Sequence, residues 1–84
     1  MEEIKLGTID DYFAKVGVIA LKLGNSVKVG DTIHIKGHTT EINQAVGSMQ
    51  IEHQVVQEAK KGDSIGIKVS ERVRKGDIVY KVLP

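Results

Sequence analysis

Three histidines, an acidic pair and a set of cations are the residues of this chain whose types could do chemistry. His34 and His38 stand four residues apart with Gly37 between them. In extended backbone that spacing is about 13 Å at ~3.3 Å per residue, too far to share one metal. A sharp turn at Gly37 would bring them together, with Glu41 or His53 as a third zinc ligand. Histidines on the surface of an ordinary hairpin are the alternative, and no metal is assigned. Asp10 and Asp11 are adjacent, and neighbours on a regular strand point to opposite faces, so they are read as a solvated strand end rather than an acid–base pair. Cysteine is absent, and Ser26, Ser48, Ser64 and Ser70 are read as lying in no nucleophile-elbow context such as Gly-x-Ser-x-Gly. No Gly-x-x-x-x-Gly-Lys-Ser/Thr run occurs, so nothing is expected to hold the phosphates of GTP. The reading is therefore non-enzymatic, with no catalytic residue and no cofactor.

The elements that must position these groups are short. Nine glycines punctuate Ile- and Val-rich runs, and the single proline is the last residue. This is all-β patterning, with strands expected near 4–9, 16–23, 32–36, 40–52, 64–69 and 78–83. Ile33 and Ile35 alternate with Thr32, His34 and Lys36, which places the first pair inward and the others outward. Ile65, Ile67 and Val69 alternate with Gly66, Lys68 and Ser70 in the same way. The run at 16–23 is apolar on both faces, as in a covered central strand. Ile42 and Val46 share one parity while Met49 and Ile51 share the other, so a β-bulge is expected near Gly47. Residues 53–59 have room for a brief helical turn.

One pattern occurs three times: Lys28-Val29-Gly30-Asp31, Lys60-Lys61-Gly62-Asp63 and Arg74-Lys75-Gly76-Asp77, each followed by a strand. Glycine supplies the positive φ of a tight turn, and Asp bonds a nearby backbone N–H. The intervals between copies are unequal, so the pattern marks a turn device and not a solenoid repeat.

At 84 residues and 9.2 kDa the chain is expected to form a single domain over residues 1–84. With 40% hydrophobic and 27% charged residues it reads as globular. No apolar run approaches the roughly 20 residues of a membrane span, and the acidic start is unlike a signal peptide, so a cytoplasmic protein with no membrane partner is expected. Net charge is +1, but its distribution is uneven. Residues 1–13 hold four acids against Lys5, whereas residues 60–81 hold seven bases against three acids. Lys60, Lys61, Lys68, Arg72, Arg74 and Lys75 are the candidate contacts for an anionic or protein partner. Tyr12, Phe13 and Tyr80 are the only aromatics, too few for a base-stacking platform, so any RNA contact would go through phosphates.

Four segments in order, 28–35, Val46-Gly47-Ser48-Met49, 60–67 and 74–79, together resemble the second domain of translational GTPases of the elongation factor Tu type. That resemblance implies a small closed antiparallel β-barrel of about six strands. It also implies a family pocket for the aminoacyl end of tRNA, which Asp10, Asp11 and Phe13 match. The chain departs from the pattern where Glu52 or His53 stands for an arginine and Ser64 for an asparagine, and the turn 14–17 lacks the family's Gly-Arg-Gly. The same barrel also looks like the small terminal module of collagenase-like peptidases. The expected function is a free-standing, non-catalytic binding module associated with translation or RNA, with structured RNA or the ribosome as partner. The alternative is a protein-interaction or accessory domain for a partner enzyme such as a GTPase or a collagenase-like peptidase.

Overall fold

The computed structural model describes residues 2–84 and is all-β. Ten strands follow one another: β1 (Glu3–Phe13), β2 (Val18–Lys22), β3 (Val27–Lys28), β4 (Thr32–Lys36), β5 (Glu41–Ala45), β6 (Met49–Ile51), β7 (Gln54–Val56), β8 (Glu58–Ala59), β9 (Ser64–Lys68) and β10 (Ile78–Val82). Eight form one antiparallel sheet in the order β5-β4-β10-β1-β2-β9-β6-β7, and β3 pairs with β8 as a separate ribbon. The expectation of a closed six-stranded barrel is therefore corrected. The sheet is open, with β5 and β7 as its free edges.

The physical reason lies in the phase change after Val46. The expected bulge at Gly47 does not form. Instead the chain leaves β5 at one edge, buries Val46, and re-enters as β6 beside β9 near the opposite edge. A strand cannot turn its apolar parity over within one ladder without a break, and here the break is a change of partner. Side chains bridge the resulting gap. Gln44 Nε2 donates to the Lys68 carbonyl at 3.0 Å, while Gln44 Oε1 accepts from the Ser70 backbone N–H at 3.0 Å. The segment expected as a helical turn is β7 and β8.

β1 is long because it serves two partners. Its first half pairs with β10 and its second half with β2, with a register shift at 5–7 and another at 9–11. Inward residues meet in one core, centred on Leu6, Ile9, Ile19, Leu21, Ile33, Ile35, Met49, Ile67 and Val79.

The three basic-x-Gly-Asp segments share one geometry. Gly30, Gly62 and Gly76 have φ of 97°, 96° and 96°. In each, the Asp N–H donates to the carbonyl of the basic residue three back, at 3.0–3.1 Å. The Asp Oδ2 in return accepts that residue's N–H at 2.9–3.0 Å. An i→i+3 bond with positive φ at the third residue is a type II turn. Each glycine N–H also donates to the carbonyl of a facing residue (Val46 after β5, Leu23 after β2 and Ile9 in β1), whose own N–H donates back to the Asp carbonyl. Two residues opposing one, with a left-handed glycine first, is a glycine-type bulge. Thus one turn–bulge unit starts β4, β9 and β10. A Cβ built on any of these glycines meets nothing within 4 Å, so only backbone strain opposes substitution. Gly62→Ala is expected to destabilise by about 1–2 kcal/mol, and Gly62→Asn by less, since Asn tolerates the left-handed region. Urea denaturation with an unchanged m-value would measure it.

Candidate functional site

The outer face of β2, β9, β6 and β7 combines small and apolar residues with Gln50 and Lys68. In register across the strands lie Asp11, Ala20, Gly66, Gln50 and Val55. Beside them is the row Phe13, Val18 and Lys68. Ala20 and Gly66 project almost nothing, so the face sinks between them into an open groove of about 440 Å³. Phe13, Val16 and Val18 wall one end, and Glu52, His53 and Ser64 the other, with Asp10 alongside. Phe13 is 48% exposed, Val16 55% and Val55 67%, and these are the large exposed hydrophobics among the described residues. Phe13 and Val16 line the groove, and Val55 lies in register with Gln50 on the same face.

Two features of the groove depart from local conformational preference. The β6–β7 hairpin turns on Glu52 (φ 49°) and His53 (φ 66°), both left-handed and neither a glycine. A two-residue hairpin of this type favours Asn-Gly, and each ordinary residue costs roughly 1–2 kcal/mol there. The other feature is the bulge at 9–11, which sets both Asp10 and Asp11 against Ala20 and leaves both exposed. The expected split of this pair to opposite faces is thus corrected, because a bulge breaks the period of two. Asp11 Oδ1 accepts its neighbour Tyr12's N–H at 2.9 Å, while Asp10 lines the groove.

The expectation that no serine has a Gly-x-Ser-x-Gly context is corrected at Gly62-Asp63-Ser64-Ile65-Gly66, which has that lettering but runs from a type II turn into β9, with no helix after it. Ser64, His53, Asp10 and Glu52 share the groove, yet no hydrogen bond joins them among the described residues. Nothing there draws the proton from the Ser64 hydroxyl.

The cations divide between two ends. β9 and β10 run in opposite directions, since β10 is antiparallel to β1, β1 to β2 and β2 to β9. The turn with Lys60 and Lys61 therefore lies at the end opposite Arg74 and Lys75, while Lys68 and Arg72 fall on the Arg74 side. All six are exposed. One continuous basic patch is not formed.

The histidines also separate. His38 and His53 are exposed, and no group of three or more His, Cys, Asp or Glu suited to a metal occurs among the described residues. His34 faces outward as its parity requires but is only 9% exposed. Its Nδ1 donates to Glu3 Oε2 at 2.7 Å, and its Nε2 lies 3.6 Å from Glu41 Oε2. Lys36 Nζ is 3.8 Å from Glu3 Oε1. The His34 hydrogen bond, above all, holds the Glu3 carboxyl below its ordinary value, against the opposing effect of desolvation and with help from the charges of His34 and Lys36. A lowered carboxyl favours the fold when ionised. Its contribution is complete above the ordinary value of 4.5 and is lost as pH falls through the lowered one. Glu3→Gln is therefore expected to lower Tm at pH 7, with the gap to the parent narrowing towards pH 3; thermal melts along a pH series measure it.

No protein-family model matches the chain. Among curated proteins it is 43% identical over 79 residues to an uncharacterised protease of Methanocaldococcus jannaschii, covering 93% of this chain and 19% of that protein. It is 37% identical over 82 residues to a collagenase of Porphyromonas gingivalis, covering 95% and 20%. The chain thus spans about a fifth of the length of these relatives. Among solved structures it resembles the C-terminal domain of a Geobacillus thermoleovorans protein assigned to the U32 peptidases, with a TM-score of 0.85 at 17% identity, covering 96% and 93% of the two chains. These relatives overturn the resemblance to translational GTPases and, with it, the translation and RNA-binding reading. Three of the four motifs behind that resemblance are the repeated turn–bulge units, which report how a small antiparallel sheet starts its strands and not which family uses it. The second resemblance, to the terminal module of collagenase-like peptidases, is the one these relatives favour. No helix of the described residues is long and apolar enough to cross a membrane.

Proposed function

We propose that this chain is an accessory β-domain of a collagenase-like peptidase, a non-catalytic module that works beside a separate catalytic body. The observation that carries this reading is the 43% identity that covers nearly all of the chain but a fifth of a protease. The groove supports it, because an apolar surface with no hydrogen-bonded nucleophile suits recognition. Its chemistry would be to hold a polypeptide or a partner surface, leaving bond cleavage to residues elsewhere.

The test uses the Methanocaldococcus jannaschii relative with its matching fifth removed. Adding this chain in trans should give a saturable complex by calorimetry and raise hydrolysis of a denatured polypeptide above that of the truncated protein alone. No complex and no change in hydrolysis would sink the accessory reading.

A further inference from the structure

Resting on that accessory reading, we infer that the groove between Phe13 and Glu52 takes an extended polypeptide in trans, at a bulky apolar residue next to Lys or Arg. The volume sets the scale. About 440 Å³ admits one or two side chains of an extended ligand.

The lining sets the chemistry. Phe13, Val16 and Val18 offer an apolar wall, and the bare floor at Ala20 and Gly66 lets a ligand backbone approach the sheet. The carboxylates lining the groove are Asp10 and Glu52, with Asp11 in register with Ala20; Lys68, in the adjoining row, and Lys22, opposite Ser64, stand outside the lining. A cation beside the apolar anchor therefore meets opposite charge, and an acidic neighbour meets like charge. The strained Glu52–His53 turn points the same way, since the fold tolerates two left-handed side chains at the groove's end. Val55, in register with Gln50, continues the apolar track to the free edge at β7.

The experiment is backbone amide NMR of the whole chain, titrated with two acetylated octapeptides. One carries Leu-Lys and Phe-Arg pairs, and its twin carries Glu in place of each cation. The cationic peptide should shift the amides of Ala20, Gly66, Glu52 and His53 and bind more tightly than its twin. Glu52→Lys should weaken it by about two- to fivefold, as for one exposed ion pair. Ala20→Leu, which fills the notch from the outer face, should abolish the shifts while the rest of the spectrum stays folded. Equal binding of the twins, shifts on another face, no shifts at all, or full binding by Ala20→Leu would each overturn the proposal. Competition with the truncated relative separates the two readings. If the catalytic body covers these amides and excludes the peptide, the peptide site falls and the accessory role survives. If the peptide binds here and the body binds nowhere, the accessory role falls and the peptide site stands.

Discussion

Ile67→Ala is expected to lower Tm by about 15–25 °C and to leave a sizeable unfolded fraction at 37 °C. Ile67 is fully buried and sits in the middle strand of its half of the sheet, opposite Ile19 of β2 and Met49 of β6. Truncation removes its packing against both neighbours and leaves a cavity that a close-packed sheet fills poorly, at a cost of about 3–4 kcal/mol. A domain of this size has roughly 4–12 kcal/mol to lose. Each kcal/mol corresponds to about 4–8 °C. Ile67→Val should cost about 1 kcal/mol, and Val55→Ala, on the exposed edge, less than about 0.5 kcal/mol. Circular dichroism melts of the three variants measure the series. A melt for Ile67→Ala within a few degrees of the parent would mean that this residue is not at the centre of the core.

The inward set was legible because it rests on alternation. Ile33 with Ile35, and Ile65 with Ile67, are buried as their parity requires. The turn–bulge units were legible as turns, since Gly-Asp has a local mechanism that needs no tertiary partner. Closure of the sheet was not legible. It depends on which edge β6 joins, and the phase change at 46–48 fits a bulge and a change of partner equally well. Likewise, residues 53–59 make two strands of two or three residues, stabilised by β6 and β3 and not by any local period.

The groove was half legible. Asp10, Phe13, Glu52, His53 and Ser64 were all singled out, though through a resemblance the relatives overturn, and the structure brings the five together. Ala20, Gly66 and Val55 were missed, because small residues on the outer face carry no chemistry of their own. The usable signal was Gly66, a residue without a side chain at an outward position of an otherwise regular strand. A strand interior glycine often marks close approach by another backbone.

Gly37→Ala is expected to destabilise by about 2–3 kcal/mol, more than the same change at Gly30, Gly62 or Gly76. Gly37 ends β4 and donates its N–H to the Thr40 carbonyl at 2.8 Å, starting the turn into β5. The space where its Cβ would stand is filled by the Asp77 carboxylate. That carboxylate is not free to swing aside: Asp77 is buried, and its Oδ2 accepts the Arg74 N–H at 3.0 Å, closing the turn that starts β10. A methyl at 37 therefore either opens that turn or pushes β4 away from β10, where Lys36 pairs with Ile78. Asp77→Gly alone should cost about 1–2 kcal/mol for the lost turn bond. The double variant should cost little more than Asp77→Gly, because the methyl then has room, which gives a coupling of about 2 kcal/mol in a double-mutant cycle. Gly47 supplies the control: it has no positive φ and nothing within 4 Å of a Cβ, so Gly47→Ala should be neutral or stabilise by up to about 1 kcal/mol. Additive costs for Gly37→Ala and Asp77→Gly would show that glycine is kept at 37 for its backbone alone, with no close packing between the end of β4 and the turn before β10.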